Sequence, residues 1–298
     1  MPRPADPLDP DLILDFYDRN ARDLPWRRTA ATPWAVLVSE VMLQQTPVTR
    51  VLPVYERWLQ RWPAPPDLAA EPAGEAIRAW GRLGYPRRAL RLHGAAVAIT
   101  ADHGGQVPAT VEELLRLPGI GDYTARAVAA FAFGARVPVV DTNVRRVLSR
   151  VVRGVDEPRA SATAADRAEM ATLLPPDPAI AARFSVAVME LGALVCTAVG
   201  PSCDRCPLLA RCAWRRSGAV AGVGRRPVQA WHGTDRQARG RMMALLRGSA
   251  GPVDMPDLLG STEDAVQARR CLDSLLADGL VERAHNGWFV LPGTAVAG

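Results

Sequence analysis

Apolar residues recur every three to four positions through most of residues 12–194, which is the spacing of helices with one buried face. Strand-like alternation of apolar and polar residues is nearly absent before residue 250. The first two-thirds of the chain therefore predict an all-α fold. The expected helices cover a segment that begins at Pro33 and residues 12–19, 48–62, 75–83, 86–103, 111–117, 123–133, 142–151, 164–174 and 178–194.

The pattern changes after residue 216. Residues 217–229 are rich in Gly, Arg and Pro, which predicts a linker. Beyond it, helices are expected at residues 236–247, 255–259 and 263–278, followed by two short strands around an Asn286-Gly287 turn. Three helices and a hairpin favour a small winged-helix-like α+β module over residues 230–298.

Glu40 places a carboxylate inside an otherwise apolar helical run, with Gln44 and Gln45 close behind it. An ionised carboxylate costs several kcal/mol in such a place unless it is paired or hydrogen-bonded. Glu40 could simply pair with Arg27 or Arg28. Alternatively, an apolar pocket raises its pKa, so that Glu40 is protonated and can donate a proton to a substrate.

Four of the five cysteines, Cys196, Cys203, Cys206 and Cys212, lie in one short segment. Clustered cysteines in a cytosolic protein more often bind metal than form disulfides. A zinc site usually has two C-x2-4-C pairs, whereas here only Cys203 and Cys206 form one. The uneven spacing favours a [4Fe–4S] cluster, and a structural zinc site remains the alternative.

Two further motifs suit nucleic-acid chemistry. Gly119 and Gly121 separate two predicted helices, and such a hairpin either exposes helix N–H groups to a phosphate or is an ordinary tight turn. Asp141 directly precedes a helix, so we expect an N-cap that stays ionised with a depressed pKa. A protonated Glu40 and an ionised Asp141 would form the acid-plus-stabiliser pair of glycosidic bond cleavage.

The bulk composition permits this interpretation. The net charge of +5 and the pI of about 9.3 allow a nucleic-acid partner. The sequence contains no lysine, so no side-chain amine can form a Schiff base. No apolar run is long enough for a membrane span, and the polar, Pro-rich start is unlike a signal peptide. A cytoplasmic protein is the expectation.

Several motifs in order resemble the helix-hairpin-helix DNA glycosylases with an iron–sulfur cluster, and among them the adenine-specific, MutY-type branch. The resemblance covers roughly residues 8–213. It rests on DLPWR at 23–27, SEVMLQQT at 39–46, LGY at 83–85, LPGIGDYT at 117–124, DTNVRRV at 141–147, MELGALVC at 189–196 and the four cysteines.

The resemblance implies a monofunctional base-excision-repair enzyme that flips and removes adenine opposite 8-oxoguanine or guanine in double-stranded DNA. Glu40 would protonate the flipped adenine at N7, and Asp141 would stabilise the oxocarbenium sugar. Tyr123 would occupy the position of the lyase lysine of bifunctional relatives. The four cysteines would hold a [4Fe–4S] cluster, and the enzyme would be a cytoplasmic, nucleoid-associated monomer.

The remaining implied residues contact DNA. Gln44, Gln45 and Tyr85 would enter the base stack beside the orphaned guanine. Gly119 and Gly121 would hold a phosphate, and Asn143 is also assigned to the DNA interface. The implied architecture has a cluster-bearing lobe of residues 1–27 and 137–216 and a helix-hairpin-helix lobe of residues 28–136.

Two departures from the family pattern affect how adenine and 8-oxoguanine would be recognised. Val186 stands where family members often carry Gln or Glu. The tail is too short for the Nudix-like domain that reads 8-oxoguanine in long members, so this is expected to be a short form whose tail binds DNA, contacts a protein or adds stability. The alternatives are a thymine-mismatch glycosylase and a non-catalytic lesion sensor; an endonuclease-III-like lyase would need a lysine.

Overall fold

The computed structural model describes residues 6–156, 162–218, 231–284 and 287–294. It confirms a mostly helical fold with a small strand pair near the end of the chain. The helices are α1 (Pro10–Asn20), α2 (Pro33–Leu43), α3 (Val48–Arg61), α4 (Pro65–Ala69), α5 (Ala73–Trp80), α6 (Arg87–Asp102), α7 (Val111–Arg116), α8 (Asp122–Phe133), α9 (Thr142–Val147), α10 (Ala164–Leu173), α11 (Pro178–Leu194), α12 (Ala213–Arg216), α13 (Asp235–Gly248), α14 (Met255–Gly260) and α15 (Ala265–Ala277), and the strands are β1 (Glu282–Arg283) and β2 (Phe289–Val290).

The chain forms two compact units. Unit 1 comprises Met1–Val36, Ala109–Leu115 and Gly121–Arg226, and unit 2 comprises Leu37–Pro108, Arg116–Ile120 and Pro227–Gly298. Most of the predicted 217–229 linker and Asn286 of the predicted turn lie outside the described residues. No helix in the described ranges is long and apolar enough to cross a membrane.

Unit 1 is built around α11, which packs against α1, α8 and α9. Asp177 caps α11 by accepting a hydrogen bond from the Ile180 N–H at 2.9 Å, and Pro178 begins the helix with a residue that needs no N–H partner. The buried face of α11 includes Phe184, Val188 and Leu191. This core supports the helix that ends at the first cysteine.

The DLPWR segment is fixed to α11 by a buried carboxylate. Glu190 is fully buried and accepts hydrogen bonds from Arg22 Nη2 at 2.7 Å and from Arg27 Nη2 at 2.9 Å. Arg22 also donates through its backbone N–H, at 3.0 Å. Arg27, considered as a partner of Glu40, therefore pairs with Glu190, and Arg28 forms an ion pair with Asp23 at 2.8 Å.

The helix expected over residues 142–151 is interrupted. The α-helix ends at Val147, and Leu148–Val152 forms a wider π-helical turn. Arg150 is buried in this turn and donates to backbone carbonyls of Asp156, Thr197 and Ala198. These tertiary hydrogen bonds, which apolar periodicity cannot reveal, accompany the change in winding.

Unit 2 combines α3–α6 with the C-terminal module. Three tryptophans, Trp58, Trp62 and Trp80, form an edge-to-face cluster with ring centroids 4.7 and 5.7 Å from Trp58. The C-terminal module consists of α13–α15 and the antiparallel β1–β2 pair, in which Glu282 faces Val290 and Arg283 faces Phe289. Its helix order and hairpin match the sequence expectation.

Candidate active site and cluster-binding site

Asp141 is the N-cap of α9, as predicted. Its Oδ1 accepts from the Val144 N–H at 2.7 Å, and its Oδ2 accepts from the Asn143 side-chain amide at 2.8 Å. Asn143, predicted to contact DNA, turns its own carbonyl to Arg146 Nη2 at 2.7 Å. Both oxygens of the carboxylate are therefore held in fixed directions before any substrate binds.

The predicted depression of the Asp141 pKa was wrong in direction. Burial of its carboxyl group raises the pKa of Asp141 above the ordinary value, and it outweighs the hydrogen bonds from Val144 and Asn143 and the attraction of Arg146. The carboxyl group is enclosed although the residue as a whole keeps some exposed surface. The N-cap hydrogen bonds expected from the sequence do lower the pKa of Asp141, but the burial of its carboxyl group could not be foreseen from the sequence.

Tyr123 lies at the second position of α8 and is half-buried. It packs against a small apolar cluster of Ala127, Ala130 and Val139. That cluster belongs to unit 1, in which Asp141 follows Val139 by two residues. Unit 1 thus contains Tyr123, Asp141, Asn143 and the four cysteines.

The four cysteines line one cavity. Its walls are formed by Arg150, Val151, Val195, Cys196, Cys203, Cys206, Leu209, Cys212, Trp214 and Arg215. Within the described ranges, no group of three or more His, Cys, Asp or Glu side chains is arranged to hold a single metal ion. The cavity therefore offers one thiol donor from each of the four cysteines to a shared bound group.

Buried arginines supply positive charge beside these thiols. Arg150 Nη1 donates to Cys196 Sγ at 3.6 Å, and Arg146 Nε donates to the Cys196 carbonyl at 2.5 Å. Such donors stabilise thiolate ligands of an iron–sulfur cluster. Burial raises the pKa of Cys206 to about 12, with neighbouring thiols adding to the effect, so its proton must be displaced when metal binds. The residues present therefore fit a four-thiolate cluster.

Glu40 is buried on α2, a helix whose other residues are mostly apolar. The end of its helix is held by Arg88, a buried residue of α6. The Arg88 guanidinium donates at 2.6–3.1 Å to the carbonyls of Val41, Met42, Gln44 and Gly84 and to the Thr46 hydroxyl. Desolvation lowers the pKa of Arg88 to about 10, which still leaves it charged at neutral pH.

Arg88 joins the two loops that carry the predicted stack-entering residues. Gln45 and Tyr85 have φ angles of +54° and +48° and are the non-glycine residues with left-handed φ in the described part of the chain. Such conformations cost about 1–3 kcal/mol and persist only where the surroundings impose them, and they concentrate at functional sites. Both side chains are exposed, Tyr85 by 49%. Gln44 precedes Gln45 and is half-buried.

The hairpin between α7 and α8 has the predicted backbone form. Gly119 has a φ of +75°, and a Cβ added there would lie 2.4 Å from Cβ of Arg91, so only glycine fits. Gly121 is exposed at the N-cap of α8, with no side-chain cap for the first N–H groups of that helix. A glycine at this N-cap therefore puts no side chain in front of the first turn of α8.

Two arginine sets escaped the sequence interpretation. Arg88 was not singled out in the sequence, where its position three residues after Tyr85 was the available signal. Arg146 lies within DTNVRRV and Arg150 three residues beyond it, and these basic residues on an apolar helix could have suggested buried anionic partners. Val186, at the position expected to be polar, is half-buried on α11.

Known bacterial proteins match this chain over nearly its full length. It is 52% identical over 292 residues to an adenine DNA glycosylase of Mycolicibacterium smegmatis, with 98% of each chain covered. This chain belongs to the adenine DNA glycosylase family. It is also 43% identical over 212 residues to the human adenine DNA glycosylase, covering 68% of this chain and 39% of the human protein.

The family model of the HhH-GPD superfamily of base excision DNA repair proteins matches residues 38–171. A solved thermostable thymine-DNA glycosylase has a similar fold, with a TM-score of 0.63 and 28% identity over 70% of this chain and 95% of that one. The predicted family, fold and enzyme class are confirmed: the chain is a DNA-binding N-glycosylase that removes adenine in base excision repair.

Proposed function

We propose that this adenine DNA glycosylase acts on adenine opposite 8-oxoguanine or guanine in duplex DNA and leaves the sugar–phosphate backbone intact. The observation that carries the proposal is the pair of exposed, left-handed residues Gln45 and Tyr85, held by one buried arginine at the end of the helix of Glu40. An enzyme that extrudes a base needs rigid side chains to fill the gap in the stack. The backbone of both residues already has this conformation in the protein without DNA.

The bond that breaks joins the sugar C1′ to N9 of adenine. Glu40 donates a proton to N7, so that adenine leaves as a neutral base with the bonding electron pair. The Asp141 carboxylate stabilises the resulting sugar cation, and water then adds at C1′ and gives its proton to the Glu40 carboxylate that the first step left. The hydrogen bonds from Val144 and Asn143 support the ionised form of Asp141 against its burial. Tyr123 supplies no nucleophile and shapes the pocket.

The four cysteines of the cavity would hold a [4Fe–4S] cluster, which when bound would fix residues 196–212 as one loop. Gly119, Gly121 and Asn143 would contact the DNA backbone. The two lobes would follow the boundaries expected from the sequence, and the enzyme would act as a cytoplasmic, nucleoid-associated monomer. Iron and sulfide analysis of purified protein, with size-exclusion chromatography, tests the cofactor and the monomer.

A single-turnover assay tests the substrate. Duplexes with a central 8-oxoguanine·A, G·A, G·T or 8-oxoguanine·C pair are incubated with excess enzyme and read with and without alkali. We expect strand breaks only after alkali and only from the two adenine duplexes. Breaks without alkali would contradict the monofunctional mechanism, and release from G·T would indicate a thymine-mismatch activity.

A further inference from the structure

The C-terminal module reaches the exposed ring of Tyr85. The guanidinium of Arg236, at the start of α13, lies 5.3 Å from the ring centroid of Tyr85 and 5.3 Å from that of Trp231. Tyr85 and Trp231 are 49% and 47% exposed. An arginine between two exposed aromatic rings forms a continuous π-stacked surface of the kind on which nucleic-acid bases pack.

This surface is positively charged. Among the described residues, Arg50, Arg82 and Arg236 form no ion pair with a carboxylate. Arg50 donates a hydrogen bond to the backbone carbonyl of Arg82, which places the Arg50 guanidinium beside the chain three residues before Tyr85. Burial, and then the nearby charge of Arg82, lower the pKa of Arg247 on α13. Like charges gathered without counter-ions suit a phosphate backbone.

Specific contacts within unit 2 hold the module in this position. Arg78 Nη1 donates to the carbonyls of Arg247 and Ser249 at the end of α13, at 2.6 and 2.9 Å. The Gly74 N–H donates to the Pro292 carbonyl at 2.7 Å, and a Cβ at Gly74 would lie 2.9 Å from that oxygen. The module is therefore docked at both its first helix and its last residues.

We propose that Trp231 and Arg236 extend the wedge formed by Tyr85 and contact the DNA strand that carries the orphaned guanine, so that the C-terminal module is part of the DNA interface. Arg236 acts as a positioning residue, since its guanidinium lies over the ring of Tyr85. The proposal rests on the proposed function, because it takes Tyr85 to enter the base stack.

The test is fluorescence anisotropy with the full-length protein and a duplex that has 8-oxoguanine opposite a tetrahydrofuran abasic site. A fully paired duplex of the same sequence serves as reference. The variants are Trp231→Ala, Arg236→Ala and Arg236→Lys. Arg269→Ala is the matched control, because Arg269 is an exposed arginine of the same module, on α15. Far-UV circular dichroism verifies that each variant is folded.

We expect Trp231→Ala and Arg236→Ala each to weaken binding to the abasic-site duplex about 10-fold, with a smaller loss on the paired duplex. Arg269→Ala should change it by less than about 2-fold, as expected for one distant charge. Arg236→Lys keeps the charge but loses the planar stack, so it should stay weaker than wild type.

Binding by Arg236→Ala that matches the Arg269→Ala control would overturn the proposal. Equal losses of affinity for the abasic-site and paired duplexes would also overturn the proposal, because they would show that Arg236 makes only an ordinary phosphate contact. Single-turnover adenine release by the wild type is measured in parallel. If the wild type releases no adenine opposite 8-oxoguanine while the binding losses appear, the proposed function fails and the interface stands.

Discussion

Replacing Glu190 with Gln removes the negative charge that fixes the DLPWR segment to α11. Burial alone would raise the pKa of Glu190, but hydrogen bonds from Arg22 and Arg27 outweigh it and hold this pKa at about 2, against an ordinary value of 4.5. At 1.36 kcal/mol per pKa unit, this difference contributes about 3 kcal/mol to the free energy of unfolding at neutral pH. Glu190→Gln should therefore destabilise unit 1 by about that amount.

The pH dependence follows from the direction of the shift. Because the folded-state pKa lies below the unfolded value, the contribution is fully present above about pH 5 and is lost as the pH falls toward 2. Between pH 7 and pH 3.5 the wild type should lose about 1.4 kcal/mol that Glu190→Gln does not lose.

Urea denaturation followed by far-UV circular dichroism at several pH values measures both effects. Asp23→Asn is the control, because the Asp23–Arg28 pair is exposed and an exposed pair adds little stability. A Glu190→Gln variant as stable as Asp23→Asn at pH 7 would refute the reasoning. So would parallel pH profiles for Glu190→Gln and the wild type.

Three further predictions concern the active site and the cluster. Glu40→Gln should abolish adenine release in single-turnover assays. Its affinity for an 8-oxoguanine·A duplex, measured by anisotropy, should stay within a few-fold of wild type. Retained adenine release would show that Glu40 is not the catalytic acid. The raised pKa of Asp141 means that the single-turnover rate should fall on the acid side at a pH above the ordinary aspartate value of 3.8, because the ionised form is required; an acid limb at or below that value would contradict this. Arg88→Met should lower the free energy of unfolding by about 2–4 kcal/mol, since several buried carbonyls lose their donor, and should slow adenine release, whereas exposed Arg57→Ala should do neither.

Periodicity and caps located most helices. The bounds of α11, Pro178–Leu194, coincide with the sequence expectation, because Pro178 and the long apolar face define them locally. The four cysteines were grouped correctly for a similar reason, since their chain spacing is short. Local chemistry was sufficient wherever the partners of a residue lie within a few turns.

The sequence could not reveal properties that depend on distant partners. The direction in which the pKa of Asp141 shifts depends on how much protein encloses its carboxyl group. The ion pair of Arg22 with Glu190 joins residues 168 positions apart. The π-helical turn at Leu148–Val152 occurs beside the buried contacts of Arg150 with residues near the cysteines. The stack of Arg236 on Tyr85 likewise joins segments that no short motif relates.

The discontinuous unit 1 has a consequence for synthesis on the ribosome. The Arg22 side chain can meet Glu190 only after 168 further residues have been polymerised, which takes roughly 10–30 s at about 5–20 residues per second. During that interval the contiguous segment Leu37–Pro108 can emerge and begin to fold. During this time α1 has no α11 to pack against. It must therefore remain unpacked, or be bound by a chaperone, until the cysteine-bearing loop is close to leaving the exit tunnel.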